Sequence, residues 1–242
     1  MTHGSAEQDP GLIGGPRQGA WPDPLIWFSR AAAKLRTMWM ARTYPFASFG
    51  ENVWFHPGCH VKRSAARHMY MGDRVFLARG VRIEVCPIPG AEPPVLILEE
   101  GVGVQRRCVL SVRNRIHVLP NVIMGPAAVV CDHLDCMENT TELPEHRNGE
   151  GGGTIRIEEG CWIGSRARIV CQKGELVIGR HSVVGANCVI TESVPPYSVV
   201  IGNPPSIVRQ YDPSKDKWVV GCIRNAAEAM PLPPAPVGSV SK

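Results

Sequence analysis

The amino-acid sequence predicts a parallel β-helix, a solenoid in which short strands and tight turns repeat coil after coil. Two observations carry this prediction: aliphatic residues recur every sixth position, and small residues stand at fixed places within each repeat. The aliphatic series, with one three-residue slip, is Ile157, Ile163, Ile169, Ile178, Val184 and Ile190. An α-helix places apolar residues three and four apart and an exposed strand alternates at two, so neither explains a six-residue period.

Small residues accompany the aliphatic ones. Glycine directly follows three of them, at Gly164, Gly179 and Gly185. We expect these glycines at the corners of the coil, where the backbone takes a φ that a Cβ would penalise. A second inward position, four residues after an aliphatic one, holds Cys161, Ala167, Ser182 and Cys188. Each aliphatic side chain would then stack on its counterpart one coil away, at a spacing of about 4.8 Å.

The composition fits one solenoid domain and argues against several other classes of protein. Among the 242 residues are 25 glycines and 22 prolines, which suits a fold made of corners. The net charge of +4 is small and scattered, so nucleic acid is not expected as a partner. The sequence contains no apolar run long enough to predict a membrane-spanning helix.

The nine cysteines favour reduced thiols over disulfides. Cys108, Cys161 and Cys188 fall on small inward positions of the repeat, where a thiol packs as a small apolar group. No secretory segment precedes the repeats. Because disulfides are rare in reducing compartments, we expect a cytoplasmic protein.

The chain before the repeats divides into two parts. Residues 1–22 have no hydrophobic periodicity and are predicted to be disordered. Residues 23–44 are predicted to form an amphipathic helix, with Asp23 as its N-cap and Pro24 at its first position. Such a helix would cover the open end of the solenoid, where strand edges are unpaired. Its basic residues also allow contact with a membrane surface, as an alternative that the pattern favours less.

The β-helix domain is expected to cover residues 45–210, with two interruptions. The proline-rich segment 87–94 should loop out, because proline cannot donate to a strand ladder. The polar segment 134–153 is long enough to reach a neighbouring chain. Residues 211–242 follow as a C-terminal extension and tail, in which 211–220 is predicted to form a short helix.

The residues that carry chemistry stand immediately before the second interruption. His133 follows Asp132 where the repeats break into the loop, so a rigid ladder would hold the imidazole and leave it reachable. This position alone fits a surface histidine better than it fits a general base. Either Asp132 or a loop carboxylate such as Glu142 would orient the ring.

The same stretch raises two other kinds of site. Side chains of metal-ligand type are Cys131, Asp132, His133, Asp135 and Cys136. They lack the paired Cys-x-x-Cys spacing of a structural zinc site, so no metal is expected. Cys131 and His133 would form a nucleophilic pair only if they shared one face of a regular strand, and direct acyl transfer needs no thiol.

The C-terminal half carries an ordered set of blocks that resembles a known family. The blocks are Trp162-Ile163-Gly164-Ser165, Ile178-Gly179, Gly185-Ala186, Val189-Ile190-Thr191, Val194-Pro195-Pro196-Tyr197-Ser198 and the run 201–209 that ends at Arg209. Together they resemble the hexapeptide-repeat acyltransferases, above all the galactoside, maltose and polysaccharide O-acetyltransferases. The resemblance covers residues 71–209 loosely and 155–209 closely.

This resemblance implies a left-handed parallel β-helix that forms homotrimers and holds acetyl-CoA in the groove between two subunits. His133 takes the position of the catalytic histidine in that family, and Asp135 stands where relatives have a second histidine. By the same resemblance, Trp162 and Ser165 are neighbours of the CoA thiol arm. The contacts implied further along the cofactor are Gly185, Ala186, Thr191 and Arg209.

The sequence therefore predicts a CoA-dependent O-acyltransferase that moves an acetyl group to a hydroxyl of a sugar or glycoconjugate. His133 would act as the general base, while the Ser165 hydroxyl or a backbone N–H would stabilise the oxyanion. The alternative, from a different class, is a non-catalytic β-helix that binds a ligand or scaffolds a complex, because a fold does not guarantee an activity.

Overall fold

The computed structural model describes residues 24–88, 90, 92–133, 152–212 and 215–223. The predicted N-terminal tail and the proline-rich C-terminal tail lie outside these ranges, as does most of the predicted loop 134–153. Loop residues Asp135, Cys136 and Glu142 therefore also lie outside the described part of the chain.

Within the described residues, one α-helix precedes a long series of short strands. The helix α1 spans Pro24–Thr43, close to the predicted 23–44, and a 3-10 turn spans Arg63–His68. The strands are β1 (Ser48–Phe49), β2 (Trp54–Phe55), β3 (His60–Val61), β4 (Met69–Met71), β5 (Phe76–Leu77), β6 (Arg82–Val85), β7 (Leu96–Leu98), β8 (Gly103–Val104), β9 (Val109–Val112), β10 (Arg115–Val118), β11 (Ile123–Met124), β12 (Val129–Cys131), β13 (Thr154–Ile157), β14 (Trp162–Ile163), β15 (Arg168–Val170), β16 (Glu175–Ile178), β17 (Val183–Val184), β18 (Val189–Ile190), β19 (Ser198–Ile201), β20 (Ser206–Asp212) and β21 (Lys217–Ile223).

The strands form three sheets that enclose a prism. Sheet A has the order β1-β4-β7-β10-β13-β16, sheet B begins β2-β5-β8-β11-β14-β17, and sheet C contains β3-β6-β9-β12-β15-β18. Every third strand thus returns to the same sheet and pairs in parallel with its counterpart one coil earlier. Six coils follow, coil 1 being β1 to β3 and coil 6 being β16 to β18. The predicted parallel β-helix is confirmed.

The interior of the prism contains the residues that the six-residue period selected. The six aliphatic residues from Ile157 to Ile190 are all buried, as are the small residues Cys161, Ala167, Ser182 and Cys188. Burial raises the pKa of the Cys161 thiol to about 11. The described cysteines are free thiols, in agreement with the sequence prediction.

The glycines that follow the aliphatic residues serve a different purpose from the one predicted. Gly164 and Gly179 do not take a positive φ. A Cβ on Gly164 would lie 2.6 Å from the backbone N of Ala186, in the next coil. These glycines are required because adjacent coils approach too closely for a side chain. The positive φ at the corners belongs to other residues, such as Arg166 at 58° and Asn187 at 58°.

Helix α1 covers the first coil, as the sequence predicted. The buried Thr37 accepts a hydrogen bond at Oγ1 from the Phe55 N–H at 3.0 Å, and Arg36 donates to the Cys59 carbonyl at 2.7 Å. The opposite face of the helix exposes three apolar side chains, which are Leu35, Met38 and Trp39. No helix in the described ranges is long and apolar enough to cross a bilayer. Contact of this exposed face with a membrane surface stays a prediction.

The C-terminal extension is a β-hairpin, so the short helix predicted for 211–220 is wrong. Strands β20 and β21 pair antiparallel with each other, and β20 pairs antiparallel with β19 at the end of sheet B. The edge of β19 offers unpaired backbone groups that a strand can satisfy and a helix cannot. The other predicted interruption is confirmed, because the described part of segment 87–94 contains no strand.

Candidate active site

Each coil turns three corners, which we name by the sheets they join in chain order: A/B, B/C and C/A. The residues with predicted roles are distributed over these corners and over the outer face of sheet B. Their positions follow from the register of the coils, because each corner stacks on the same corner of the next coil at a spacing of about 4.8 Å.

Asp132 and His133 lie together at the C/A corner of coil 4, directly after β12. The Nδ1 atom of His133 is 2.9 Å from Oδ1 of Asp132, whose side chain is completely shielded from solvent. The His133 side chain is only 15% exposed. The ladder holds the pair on the prism, and the partial exposure of the ring leaves it open to a reactant.

Backbone groups from the preceding coil hold the Asp132 carboxylate. Oδ1 accepts a hydrogen bond from the Arg113 N–H at 2.8 Å, and Oδ2 accepts one from the Asn114 N–H at 2.8 Å. Such bonds stabilise a buried carboxylate that would otherwise be costly to desolvate. Asp132 is therefore the described carboxylate that orients His133.

The paired carboxylate makes the imidazole a stronger base. The hydrogen bond to Asp132 raises the pKa of His133 to about 9, with the neighbouring Cys131 sulfur as a second contributor and partial burial opposing both. A neutral ring that donates from Nδ1 to Asp132 presents Nε2 as its free acceptor atom. Nε2 faces the Ser111 hydroxyl at 3.4 Å.

Sequence reasoning missed the residues that complete this corner. Ser111 lies one coil before Cys131, its register partner in sheet C. The Asn114 amide donates to the Gly153 carbonyl and to the Thr154 hydroxyl, both at 3.2 Å. It thereby connects the end of coil 3 to the chain that returns after the loop.

The Cys131 thiol lies beside the imidazole but is hydrogen-bonded to the backbone. Its Sγ is 3.7 Å from Nδ1 of His133 and donates to the His133 carbonyl at 2.8 Å, so the thiol is bonded to the backbone. Among the described residues, His, Cys, Asp and Glu side chains form no group of three that could hold a metal ion.

Ser165 and Ala186 occupy a different corner from His133. Both are exposed at the B/C corner, in coils 5 and 6, and both line an open groove of about 810 Å³. Sheet C separates this corner from the C/A corner by about seven residues, or on the order of 20 Å along one chain. The fold does not bring Ser165 and His133 together within one chain.

Trp162 and Arg209 share the outer face of sheet B. The register connects Trp162 to Val183, Val183 to Val199 and Val199 to Arg209, so the four side chains form one outward row. Trp162 is 59% exposed, more than a packing role alone requires. Arg209 is also exposed, at the end of the row that lies beyond coil 6.

The last two predicted cofactor residues lie apart from each other. A Cβ on Gly185 would lie 2.8 Å from the Ile201 Cγ2 atom, so this glycine has a packing reason that needs no ligand. Thr191 is exposed just after β18, at the C/A corner of coil 6. It therefore shares a corner with His133, two coils away.

Comparison with known proteins gives partial matches to acetyltransferases. An acetyltransferase of Staphylococcus aureus strain COL is 36% identical over 76 residues, which are 30% of this chain and 37% of that protein. An acetyltransferase of Mycobacterium tuberculosis strain H37Rv is 26% identical over 159 residues, 59% of this chain and 52% of that protein. The chain thus spans between about a third and about half of the curated relatives it matches. No protein-family model matches it.

A solved structure shares the fold over most of the chain. A point mutant of the N-acyltransferase AntD from Bacillus cereus, in complex with dTDP-4-amino-4,6-dideoxyglucose and coenzyme A, superposes with a TM-score of 0.59. The sequences are 15% identical, and the match covers 71% of this chain and 87% of that one. The chain therefore has the left-handed parallel β-helix fold, and over part of its length it is similar in sequence to acetyltransferases.

Proposed function

We propose that this protein is a CoA-dependent O-acyltransferase that moves an acetyl group from acetyl-CoA to a hydroxyl of a sugar or glycoconjugate. The observation that carries this proposal is the His133 imidazole held at 2.9 Å by the fully buried Asp132 carboxylate. The acetyltransferase relatives and the AntD complex with coenzyme A and a nucleotide-linked sugar support the same reaction class.

The chemistry follows from the free nitrogen of the ring. His133 Nε2 takes the proton of the acceptor hydroxyl as that oxygen attacks the carbonyl carbon of the thioester. The bond from this carbon to sulfur then breaks, and the CoA thiolate takes the proton back from the imidazolium. Both substrates are bound together, so the acyl group never attaches to the protein.

Asp132 serves the base in two ways. It holds the ring with Nδ1 protonated, so the lone pair lies on Nε2, and it stabilises the imidazolium that forms during attack. The Arg113 and Asn114 backbone N–H groups keep the carboxylate in place. Asp132 is therefore a positioning residue that acts through His133.

The donor would lie along the C-terminal coils. Trp162 and Arg209 share one face, with Ser165 and Ala186 at the adjoining corner, where an extended cofactor can run parallel to the prism axis. In this arrangement Arg209 holds a phosphate of CoA and Trp162 packs on its thiol arm. Gly185 is next to Ala186 at this corner, whereas Thr191 lies at the C/A corner and would meet the cofactor of a site shared with another subunit.

The proposed homotrimer is supported by the distance between the two halves of the site. Ser165 can stabilise the oxyanion formed beside His133 only if the two residues come from different subunits, because sheet C separates them within one chain. The exposed Trp162 and Ile123, which are neighbours in sheet B, offer an apolar face for such packing.

The test is a transfer assay with purified protein. Acetyl-CoA is incubated with a panel of free and nucleotide-linked sugars while free thiol is measured and the products are weighed by mass spectrometry. We expect acceptor-dependent thiol release and a product heavier by one acetyl group. Binding of a ligand without any acetylated product would favour the non-catalytic alternative.

A further inference from the structure

The B/C corner carries a row of arginines that the proposed donor site does not use. The pairs of residues at this corner, from coil 1 to coil 6, are Pro57-Gly58, Arg79-Gly80, Arg106-Arg107, Pro126-Ala127, Ser165-Arg166 and Ala186-Asn187. Backbone hydrogen bonds stack the pairs, for example from Arg107 N–H to Arg79 O at 3.2 Å and from Arg166 N–H to Pro126 O at 2.9 Å. The four guanidinium groups are thus attached to one rigid ladder.

These arginines lie on an open groove without opposite charge. All four contribute to the lining of the cavity of about 810 Å³, and none of the described residues that line it is acidic. Within the described ranges, the four side chains make no ion pair. Arginines in such a groove attract anions, and the guanidinium fork suits the oxygens of a phosphate.

Two of the arginines occupy a backbone conformation that disfavours them. Arg107 has a φ of 60° and Arg166 a φ of 58°, in the left-handed region. In coils 1 and 2 the same corner position is filled by Gly58 and Gly80. Ala127 and Asn187 fill it in coils 4 and 6 with nearly the same φ, so the conformation belongs to the corner turn, and a glycine can replace either arginine there without strain.

The spacing of the arginines leaves room for a ligand between them. Arg107 and Arg166 are two coils apart, or about 10 Å, with the small Ala127 between them. A phosphate can approach the floor of the groove at Ala127 and be held from both sides. Arg106 lies beside Arg107 in coil 3, and Arg79 extends the positive charge one coil further towards the N-terminus.

We infer that this corner binds the phosphate groups of the acceptor, which is therefore a sugar carried on a diphosphate. The assignment to the acceptor rests on the proposed function. If CoA runs from Arg209, beyond coil 6, past Ala186 and Ser165, then Arg79, Arg106 and Arg107 in coils 2 and 3 lie beyond its thioester. The part of the B/C corner in coils 2 and 3 is therefore assigned to the acceptor.

A second copy of this chain is the competing occupant. The A/B corner is acidic, with Glu51, Asp73 and Glu100 in coils 1 to 3 and Glu159 in coil 5. One copy's acidic corner could pair with another's arginines. The phosphate is favoured because the arginines flank the small Ala127 on an open groove whose described lining contains no acidic residue.

The test compares three variants that each remove one arginine from a left-handed position. Arg107→Gly and Arg166→Gly delete guanidinium groups of the corner and relieve backbone strain, so folding should be preserved. Arg74→Gly is the matched control, because Arg74 has a φ of 55° but lies at the A/B corner in an ion pair with Glu100. Binding of UDP, inorganic pyrophosphate and CoA is measured separately by calorimetry on the full chain.

We expect each corner variant to weaken UDP and pyrophosphate by about tenfold or more, while Arg74→Gly does not. CoA binding should be unchanged in Arg107→Gly, because Arg107 lies beyond the thioester, whereas Arg166 neighbours the donor residue Ser165 and does not serve as this control. Selective loss of CoA binding would overturn the inference by assigning the corner to the donor. A lower oligomer mass of the corner variants would overturn it in favour of a subunit contact. If the wild-type protein binds CoA but neither diphosphate, the inference fails while the proposed function stands; if CoA itself does not bind, the proposed function fails.

Discussion

Nδ1 of His133 lies 2.9 Å from Oδ1 of Asp132, and the carboxylate is completely buried while the imidazole is partly exposed. A general base needs this asymmetry, since the charged partner is fixed inside the fold while the ring stays partly accessible. Because the pair raises the pKa of His133 to about 9, it also predicts how activity and stability depend on pH.

Activity should rise with pH through the neutral and mildly alkaline range. The reaction needs neutral His133, so kcat/KM for the acceptor is expected to increase until about pH 9, where half of the free protein is deprotonated. Asp132→Asn removes the charge that raises the pKa, so it should move this limb to lower pH and lower the plateau. A pH profile that is the same in both proteins would contradict the role of Asp132.

The contribution of His133 to the stability of the fold should decrease as pH rises. The folded-state pKa of His133 is raised, so the charged pair contributes stability that is fully present below the unfolded pKa of about 6.5 and is lost as pH rises through about 9. The difference in melting temperature between wild type and His133→Gln should therefore be larger at pH 6 than at pH 9.5. An equal difference at both pH values would show that the ion pair is not formed.

Arg209→Ala should weaken acetyl-CoA selectively. Loss of a charge-assisted contact to phosphate is worth about 1.5 to 3 kcal/mol, which corresponds to a tenfold to hundredfold higher KM for acetyl-CoA. The rate at saturating cofactor should change only a few fold, because the lost interaction is the same in the ground and transition states. Arg63→Ala, an exposed arginine of the 3-10 turn, is the control. A lower melting temperature with unchanged KM would instead make Arg209 a structural residue.

Two inactive variants should restore activity when they are mixed in one oligomer. His133→Ala and Ser165→Ala each lose activity alone, Ser165→Ala by about two to three orders of magnitude if its hydroxyl stabilises the oxyanion. In a trimer with sites shared between subunits, random mixing should return about a quarter of the wild-type activity. A variant with both substitutions, mixed with His133→Ala, cannot restore activity, because neither chain contains His133. Light scattering on the wild-type protein gives the oligomer mass independently, and a monomeric mass would contradict a site shared between subunits.

Gly164→Ala should destabilise the fold, because its Cβ would lie 2.6 Å from the Ala186 backbone N. Overpacking of this kind costs about 1 to 3 kcal/mol. Gly103→Ala is the matched control, since its Cβ would meet Ile123 at an ordinary 3.9 Å. Equal melting temperatures for both variants would show that adjacent coils can move apart.

The periodicity predicted the prism and its core, because neither an α-helix nor an exposed strand produces a spacing of six residues. It did not predict which corner each residue occupies, since the chain between coils varies in length at 86–95 and again before Thr154. The separation of Ser165 from His133 therefore emerged only from the structure. Sequence reasoning did not identify Asn114 as a site residue, because Asn114 holds the Asp132 carboxylate through its backbone N–H, which no side-chain pattern reports.

The hairpin at the C-terminus was not predicted either, because its structure depends on a partner strand. The buried residues of β20 are Ile207, Gln210 and Asp212, which are three and two positions apart because a register shift interrupts the alternation. The partner strand β19 decided the structure, and its open edge cannot be read from the segment itself.

The most direct test of the account is the turnover of His133→Ala beside that of His117→Ala. His117 is the matched control, because its imidazole also pairs with a carboxylate, that of Glu99, but on sheet A and away from the C/A corner. We predict that His133→Ala lowers the rate of acetyl transfer by about two to four orders of magnitude with little change in KM for acetyl-CoA, whereas His117→Ala stays within a few fold of wild type. Near-normal turnover of His133→Ala would remove this residue from the mechanism and contradict the proposed active site.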